Sequence, residues 1–514
     1  RAWMVERYGR EAAYTRGYVV HTTVAGERQR EARTALRDGL HAYDERHGYR
    51  GSLARLDPAV LEGPRASLLE RLSGFPRPGD LQVGVVSALE GQTATLLTRA
   101  DERVELPWAG LQWARPQLGR NAMGPNPDQA DDVLSVGDVV YLRGTDDGWR
   151  LAQPPEPQSG LVSLAPKDGR IRALVGGYDF SFSKFNRVTQ ALRQPGSAFK
   201  PLIYSAALAN GLTPATLVND APVVFADAAL EDVWRPENYS GRVFGPTRLR
   251  EALTYSRNLV SIRVLRRVGV EATVDHIERL GLPDERLPRN LSLALGAAGV
   301  TPLELARAYA AFANGGERVE PHFIDRVVDN RGERVYDASP PRVTDDDKAA
   351  PAERAISAEN AWLMRSMLRN VVEEGTARAA RELGRDDIAG KTGTTNDQRD
   401  AWFSGFNGDL VTTVWVGFDE RGTLGRYETG GRAALPIWMD FMGEALADRP
   451  PSQWSRPDGL VTVKIDPETG ERVPSDTADA VFETFRTANL PEPPRGGADG
   501  GGSGDDGATD QPLF

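Results

Sequence analysis

The chain has 514 residues, and 73 acidic against 62 basic side chains leave a net charge of -11. That balance argues against a general affinity for nucleic acid or anionic lipid. The length allows two or three domains with an ample core. Cysteine is absent, which excludes disulfides, thiol nucleophiles and cysteine-ligated zinc.

In chain order, "RGYVVHTTVAGERQREARTALRDGL" opens on a β-branched run and then turns helical from Gly26 to Tyr43. From about Pro76 to Pro155 come short β-like runs, "LQVGVVSAL", "TATLLT", "RVELPW" and "DVVYLRG", between Gly, Asn, Asp and Pro turns. They predict a small β-barrel of the OB type. Such barrels can bind single-stranded nucleic acid, but the many Asp and Glu here oppose it, so a spacer or docking module is expected. From Gly160, "GLVSLAPKDGRIRALVGG" reads as a hairpin about Asp168-Gly169. "SAFKPLIYSAALANG" has helical spacing and stops at Asn210-Gly211. Helical patterns dominate from 247 to 315 and from 357 to 384. "IAGKTGTT", "DAWFSGFN" and "LVTTVWVGFD" then read as three successive strands. Strands at both ends enclosing helices predict an α+β domain whose sheet joins distant parts of the chain. The Gly-, Asp- and Pro-rich tail is expected to be disordered.

No stretch approaches the ~18 consecutive apolar residues of a membrane span, and no secretory leader is visible. The first residue is Arg1 rather than Met, so a leader or anchor is expected upstream of a fragment. None of the five histidines, His21, His41, His47, His276 and His322, lies near a nucleophile-like turn, so a base other than histidine is sought.

Three short patterns occur in order: Ser197-Ala198-Phe199-Lys200, Ser256-Arg257-Asn258 and Lys391-Thr392-Gly393. A chance Ser-x-x-Lys is expected roughly 0.3 times in such a chain, and a second match exists at Ser181 to Lys184. That second match alternates like a strand, which would keep its serine and lysine off a common helix face. Ser197 and Lys200 share a face if a helix starts near Gly196. Ser197 is therefore the candidate nucleophile and Lys200 its candidate base, the alternative for Ser197 being a helix N-cap. Ser256 and Asn258 could equally decorate a loop or cap. Lys391 could be a strand end, with Gly393 permitting close backbone approach to a ligand.

Together the three patterns form the signature of penicillin-binding proteins and class A β-lactamases. "MVERYG", "RQPGSAFKP", "TYSRNL", "VVEEGTA", "GKTGTTND" and "DAWFSGF" resemble the transpeptidase half of a class A penicillin-binding protein, and the β-rich insert resembles the OB-like domain of its Gram-negative 1a-type branch. The resemblance implies an antiparallel sheet flanked by helices plus a helical subdomain. It divides the chain into 1–75 (linker and N-terminal part), 76–158 (OB-like), 159–488 (transpeptidase) and 489–514 (tail).

The resemblance also implies a D,D-transpeptidase that cross-links peptidoglycan stem peptides through a Ser197 acyl-enzyme and is blocked by β-lactams. Lys200 would be the base, Ser256 a proton relay and Asn258 a contact to the donor peptide. The Thr392 and Thr394 hydroxyls, helped by Lys391, would hold the terminal carboxylate, with Gly393 letting the substrate approach the strand, and the N–H groups of Ser197 and Thr394 would form the oxyanion hole. No cofactor or metal is implied, and no nucleic acid. Expected partners are donor and acceptor stem peptides, β-lactams, the membrane through a helix outside this chain, and cell-wall regulators at the OB-like domain. The implied location is the periplasmic face of the bacterial inner membrane. A D,D-carboxypeptidase, a serine β-lactamase and a non-catalytic penicillin sensor or scaffold carry the same motifs. "WRPENYSG", residues 234 to 241, is expected to contact substrate or to form an aromatic-anchored turn.

Overall fold

The computed structural model describes residues 1–224, 234–343, 350–420 and 422–493. The tail expected to be disordered lies, from residue 494 onward, outside the described residues.

A five-stranded sheet holds the larger domain together. Its strands are β1 (Gln158–Leu164), β2 (Ile171–Val175), β3 (Ala389–Thr394), β4 (Asp400–Phe406) and β5 (Val411–Gly417), in the spatial order β2-β1-β5-β4-β3, antiparallel throughout. The expected hairpin forms β1 and β2, and the three expected strands form β3 to β5. The chain thus returns after more than 200 residues to complete its own sheet, leaving β3 at an edge. Strands β4 and β5 are buried at every position, as in a sheet covered on both faces.

Helices supply that cover: α1 (Gly26–His47), α2 (Lys200–Ala209), α3 (Asn258–Val268), α4 (Pro302–Ala313), α5 (Ala358–Glu373) and α6 (Leu435–Leu446). Their ends are written in local chemistry. Thr301 and Glu304 form a reciprocal capping box ahead of Pro302, and Ser357 caps Asn360 N at the start of α5. Helix α4 packs against β1, β4 and β5, whereas α1 and α6 pack on each other and on the same sheet. Trp438 on α6 donates Nε1 to the Thr412 carbonyl of β5 at 3.0 Å. One apolar core runs through all of these elements.

The β-rich segment forms a second sheet, Ala54–Arg55, Asp138–Thr145, Gln82–Glu90, Thr93–Thr98 and Arg103–Leu106 in spatial order, with Gly148–Ala152 also paired to Asp138–Thr145. Its strands are apolar on both faces. Val86, Leu96, Val140 and Leu142 fill one cluster; Val83, Val85, Leu97 and Val139 join Leu68 and Leu72 of the helix Arg65–Ser73 in another.

The sequence around Ser181 departs from its expected strand. Residues 179–185 form a turn in which Asp179 Oδ1 accepts from Ser181 N at 2.7 Å and from Ser181 Oγ at 2.6 Å. This local side-chain capture outcompetes an extended strand. Among the described residues, no helix is long and apolar enough to cross a membrane.

Candidate active site

Ser197 lies in a single 3₁₀ turn, Gly196–Phe199, that runs directly into α2 at Lys200. The expected helix start at Gly196 is therefore present, tightened by one turn. The N-cap position falls to Pro195 for the turn and to Phe199 for α2, so Ser197 lies inside the turn and the N-cap alternative does not hold. Two buried aromatic donors pin the turn: Tyr309 Oη donates to the Ala198 carbonyl at 2.6 Å, and Trp402 Nε1 donates to the Gln194 carbonyl at 2.9 Å. Ala198, Phe199 and Lys200 have no solvent exposure, and Ser197 is half-buried.

Glycines allow the edge strand to touch this turn. A Cβ on Gly393 would lie 2.3 Å from the Pro195 carbonyl oxygen, and one on Gly196 would lie 2.5 Å from that of Thr394 and 3.2 Å from Thr394 N. Gly296 brings a third segment within the same distance, since its Cβ would meet the Gly196 carbonyl oxygen at 2.1 Å. Gly196 and Gly296 also have φ of +54° and +72°, the left-handed region that glycine enters at no steric cost.

Ser256 occupies the bend between the helix Leu249–Thr254 and α3, with φ +58°. A non-glycine residue held there is strained by about 1–3 kcal/mol, a cost that clusters at functional sites. The bend turns its hydroxyl between two lysines: Lys200 Nζ is 3.2 Å and Lys391 Nζ 3.0 Å from Ser256 Oγ. Lys200 also donates to the Ser256 carbonyl and to Asn258 Oδ1, each at 2.7 Å, and Lys391 donates to the Thr392 carbonyl at 3.1 Å. Ser256, Asn258 and the two lysines thus form one hydrogen-bonded group, against which the Ser197 turn is packed.

Both lysines are completely buried, and among the described residues neither forms an ion pair with a carboxylate. Burial, and secondarily the charge of Lys391, hold the Lys200 pKa well below that of an ordinary lysine. Burial lowers Lys391 to about 7. With Lys200 neutral, the Ser256 hydroxyl donates to the Lys200 lone pair and accepts from the Lys391 ammonium. That chain can carry a proton between the two amines.

Sequence reasoning missed the residues that hold this group in place. Asn238 Oδ1 accepts from Asn258 N at 2.7 Å, while Asn238 Nδ2 donates to both oxygens of the fully buried Asp220 at 2.9 Å. The carbonyl of Glu237 accepts from Asn258 Nδ2 at 2.8 Å. The segment "ENYSG" is therefore a clamp on Asn258, with the Glu237 side chain exposed. Thr376 Oγ1 lies 2.6 Å from Thr392 Oγ1, and that pair spends only one of its two hydroxyl protons. Thr394 Oγ1 accepts from Gly430 N at 3.0 Å and keeps its own proton. The edge of β3 consequently presents hydroxyl donors beside a cationic amine. The tandem "EEGTA" was the available signal for Thr376; nothing local pointed to Asp220.

A buried serine–histidine contact also exists, Ser205 Oγ to His276 Nε2 at 2.9 Å. Both residues are sealed in the core, and burial lowers His276 to about 4, so it supports packing rather than catalysis. Among the described residues, no group of three or more His, Asp or Glu could hold a metal ion.

Residues 160–442 match the family described as the penicillin-binding protein transpeptidase domain, and residues 49–157 match the penicillin-binding protein OB-like domain. The chain is 46% identical to penicillin-binding protein 1A of Pseudomonas aeruginosa and 39% identical to that of Vibrio cholerae, in each case over 96% of its own length. It spans 64% and 65% of those two relatives. The crystal structure of penicillin-binding protein 1A from Haemophilus influenzae superposes with a TM-score of 0.86 at 35% identity, covering 96% of this chain and 75% of that one. The domain match takes in more than half of the 514 residues and every residue of the lysine–serine group, and the chain belongs to the penicillin-binding protein transpeptidase family.

Proposed function

We propose that the chain is a serine-type D,D-transpeptidase that cross-links peptidoglycan stem peptides. Neutral Lys200, its lone pair turned from Ser256 to Ser197, takes the Ser197 proton as Ser197 Oγ attacks the carbonyl joining the two terminal D-alanines. The tetrahedral oxyanion faces the N–H groups of Ser197 and Thr394, each donor worth roughly 3 kcal/mol of barrier. Ser256 passes the proton to the departing amine, D-alanine leaves, and an ester to Ser197 remains. An amine of a second stem then attacks that ester, returns the proton through the same chain, and leaves with the acyl group. The Lys391 ammonium and the hydroxyls of Thr392 and Thr394 hold the donor carboxylate, and the remaining Asn258 N–H is available to the donor backbone.

One observation carries this proposal: a single hydroxyl, Ser256 Oγ, lies within 3.2 Å of two buried amines beside the Ser197 turn. β-Lactams, which present the same carbonyl and carboxylate, acylate Ser197. Glu237 is exposed, so it offers no deacylating base of the class A β-lactamase kind. The chain's proposed site of action is the periplasmic side of the inner membrane, with the OB-like domain proposed as a docking module.

The test is an assay on polymerised glycan. Cross-linked peptide dimers are expected from the parent and none from Ser197→Ala. Release of D-alanine without dimers marks a carboxypeptidase, rapid penicillin turnover a β-lactamase, and stable acylation with neither product a sensor.

A further inference from the structure

A cavity of about 620 Å³ lies at the end of the sheet where Ala389 pairs with Phe406, opposite the end that carries Thr394. Arg365 of helix α5, Trp362 one turn before it, and Trp454 line this cavity, together with Lys167, Arg449 and Asp409. Arg365 is only 6% exposed, yet among the described residues its guanidinium meets no carboxylate or other hydrogen-bond acceptor. The guanidinium lies over the face of Trp454, with Cζ 4.2 Å from the ring centroid. An aromatic face is a weaker partner for a buried guanidinium than a carboxylate.

Neighbouring arginines show that the fold pairs such groups where it has no other use for them. Arg369, one turn on, bonds Glu373 at 2.8 Å; Arg385 bonds Asp387 in bidentate fashion; Arg449 lies 3.7 Å from Asp409. Arg365 has no acid three or four residues away on its own helix. Burial and the charge of Arg369 lower its pKa to about 10, which leaves it cationic at neutral pH. With Lys167 and Arg449 against Asp409, the lining carries an excess of positive charge in a chain whose total is -11.

We propose that this cavity binds a short peptide segment bearing a carboxylate next to an aromatic side chain. The planar Arg365 fork takes the carboxylate through two parallel N–H bonds. Trp362 and Trp454 take the aromatic group, and Lys167 and Arg449 attract the acid at the rim. The volume falls within the range of small-ligand sites, roughly 300–1,000 Å³. None of these residues belongs to the lysine–serine group, so the proposal stands or falls independently of the activity at Ser197.

The test uses two probes that differ only in charge, N-acetyl-aspartyl-phenylalanine amide and N-acetyl-asparaginyl-phenylalanine amide, titrated calorimetrically and by tryptophan fluorescence. The acid is expected to bind with Kd below about 1 mM, and the asparaginyl probe at least about tenfold more weakly. Arg365→Met is expected to lose the preference for the acid while raising Tm, because it removes an unpaired buried charge; Arg365→Gln is expected to lose the same preference. Penicillin labelling reports folding in both variants. Equal affinity for the two probes, no binding of either, or an undiminished acid preference in both variants would overturn the proposal. A fall in Tm in Arg365→Met would instead mark the guanidinium as a packing group, with the same consequence.

Discussion

At the scale of single residues, the site turns on two lysines made unusual by where they are buried. Burial and the charge of Lys391 hold Lys200 well below the usual lysine range, and burial lowers Lys391 to about 7, so near neutral pH the pair can hold one amine as base and the other as cation. The proposed mechanism needs both forms together for acylation by a penicillin. The second-order acylation rate is therefore expected to be bell-shaped in pH, with a descending limb near pH 7 as Lys391 loses its proton in the free enzyme. Stopped-flow measurement with a chromogenic cephalosporin checks this, and a rate that climbs steadily to pH 9 would contradict it. The same depression carries a stability signature. The unfolded chain keeps its lysine protonated up to about pH 10.4, so between about pH 7 and that value it binds more protons than the fold, and stability rises with pH. Below about pH 7 the full cost applies, on the order of 5 kcal/mol for a shift of this size. Lys391→Met is expected to exceed the parent in denaturation midpoint at pH 6, with the difference closing toward pH 10.

Among the elements, the contact between the Ser197 turn and strand β3 decides whether those lysines matter. Three segments meet there through glycines, and Gly296 is the tightest: a Cβ would fall 2.1 Å from the Gly196 carbonyl oxygen, at a φ of +72°. Gly296→Ala is expected to displace the nucleophile turn and cut penicillin acylation by about 10- to 100-fold, since a shift near 1 Å costs that order of rate. Far-ultraviolet circular dichroism should remain that of a folded protein. The elements themselves were largely legible. The hairpin about Asp168, the three strands after Asp387 and the helix ending at Asn210-Gly211 announce themselves by period and punctuation. Alternation misled at 179–185, where Asp179 gathers the backbone into a turn. It was overlooked in "LVTVKI", Leu460–Ile465, whose partner Val481–Arg486 arrives only after a long connection. The motif residues were legible because their chemistry is written in short spacings. Asp220, Asn238 and Thr376 were not, because their contacts cross 16 to 20 residues and exist only in the fold.

Over the whole molecule, charged pairs tie distant parts to the catalytic sheet. Helix α1 sits between the two domains: Glu45 takes Arg150 of the second sheet in bidentate fashion at 2.7 and 2.6 Å, and Arg46 grips Glu428 at 3.0 and 2.9 Å. The terminal hairpin is fastened likewise. Glu483, 1% exposed, accepts from Arg250 at 2.6 and 2.7 Å, and Arg250 also donates to Ser366 and Asn370 on α5. Removing one partner of a buried pair leaves the other uncompensated. Glu483→Ala is expected to cost about 3 kcal/mol in chemical denaturation, and a change below about 0.5 kcal/mol would show that the hairpin is held by its apolar contacts alone.

The gathering of Ser197, Lys200 and Lys391 into one cleft is tested most directly by mass spectrometry of the intact protein after benzylpenicillin, with the modified peptide mapped. A single stable adduct on Ser197 is predicted, absent in Ser197→Ala and nearly absent in Lys200→Ala. An adduct on Ser181, or full acylation without the Lys200 amine, would contradict the account.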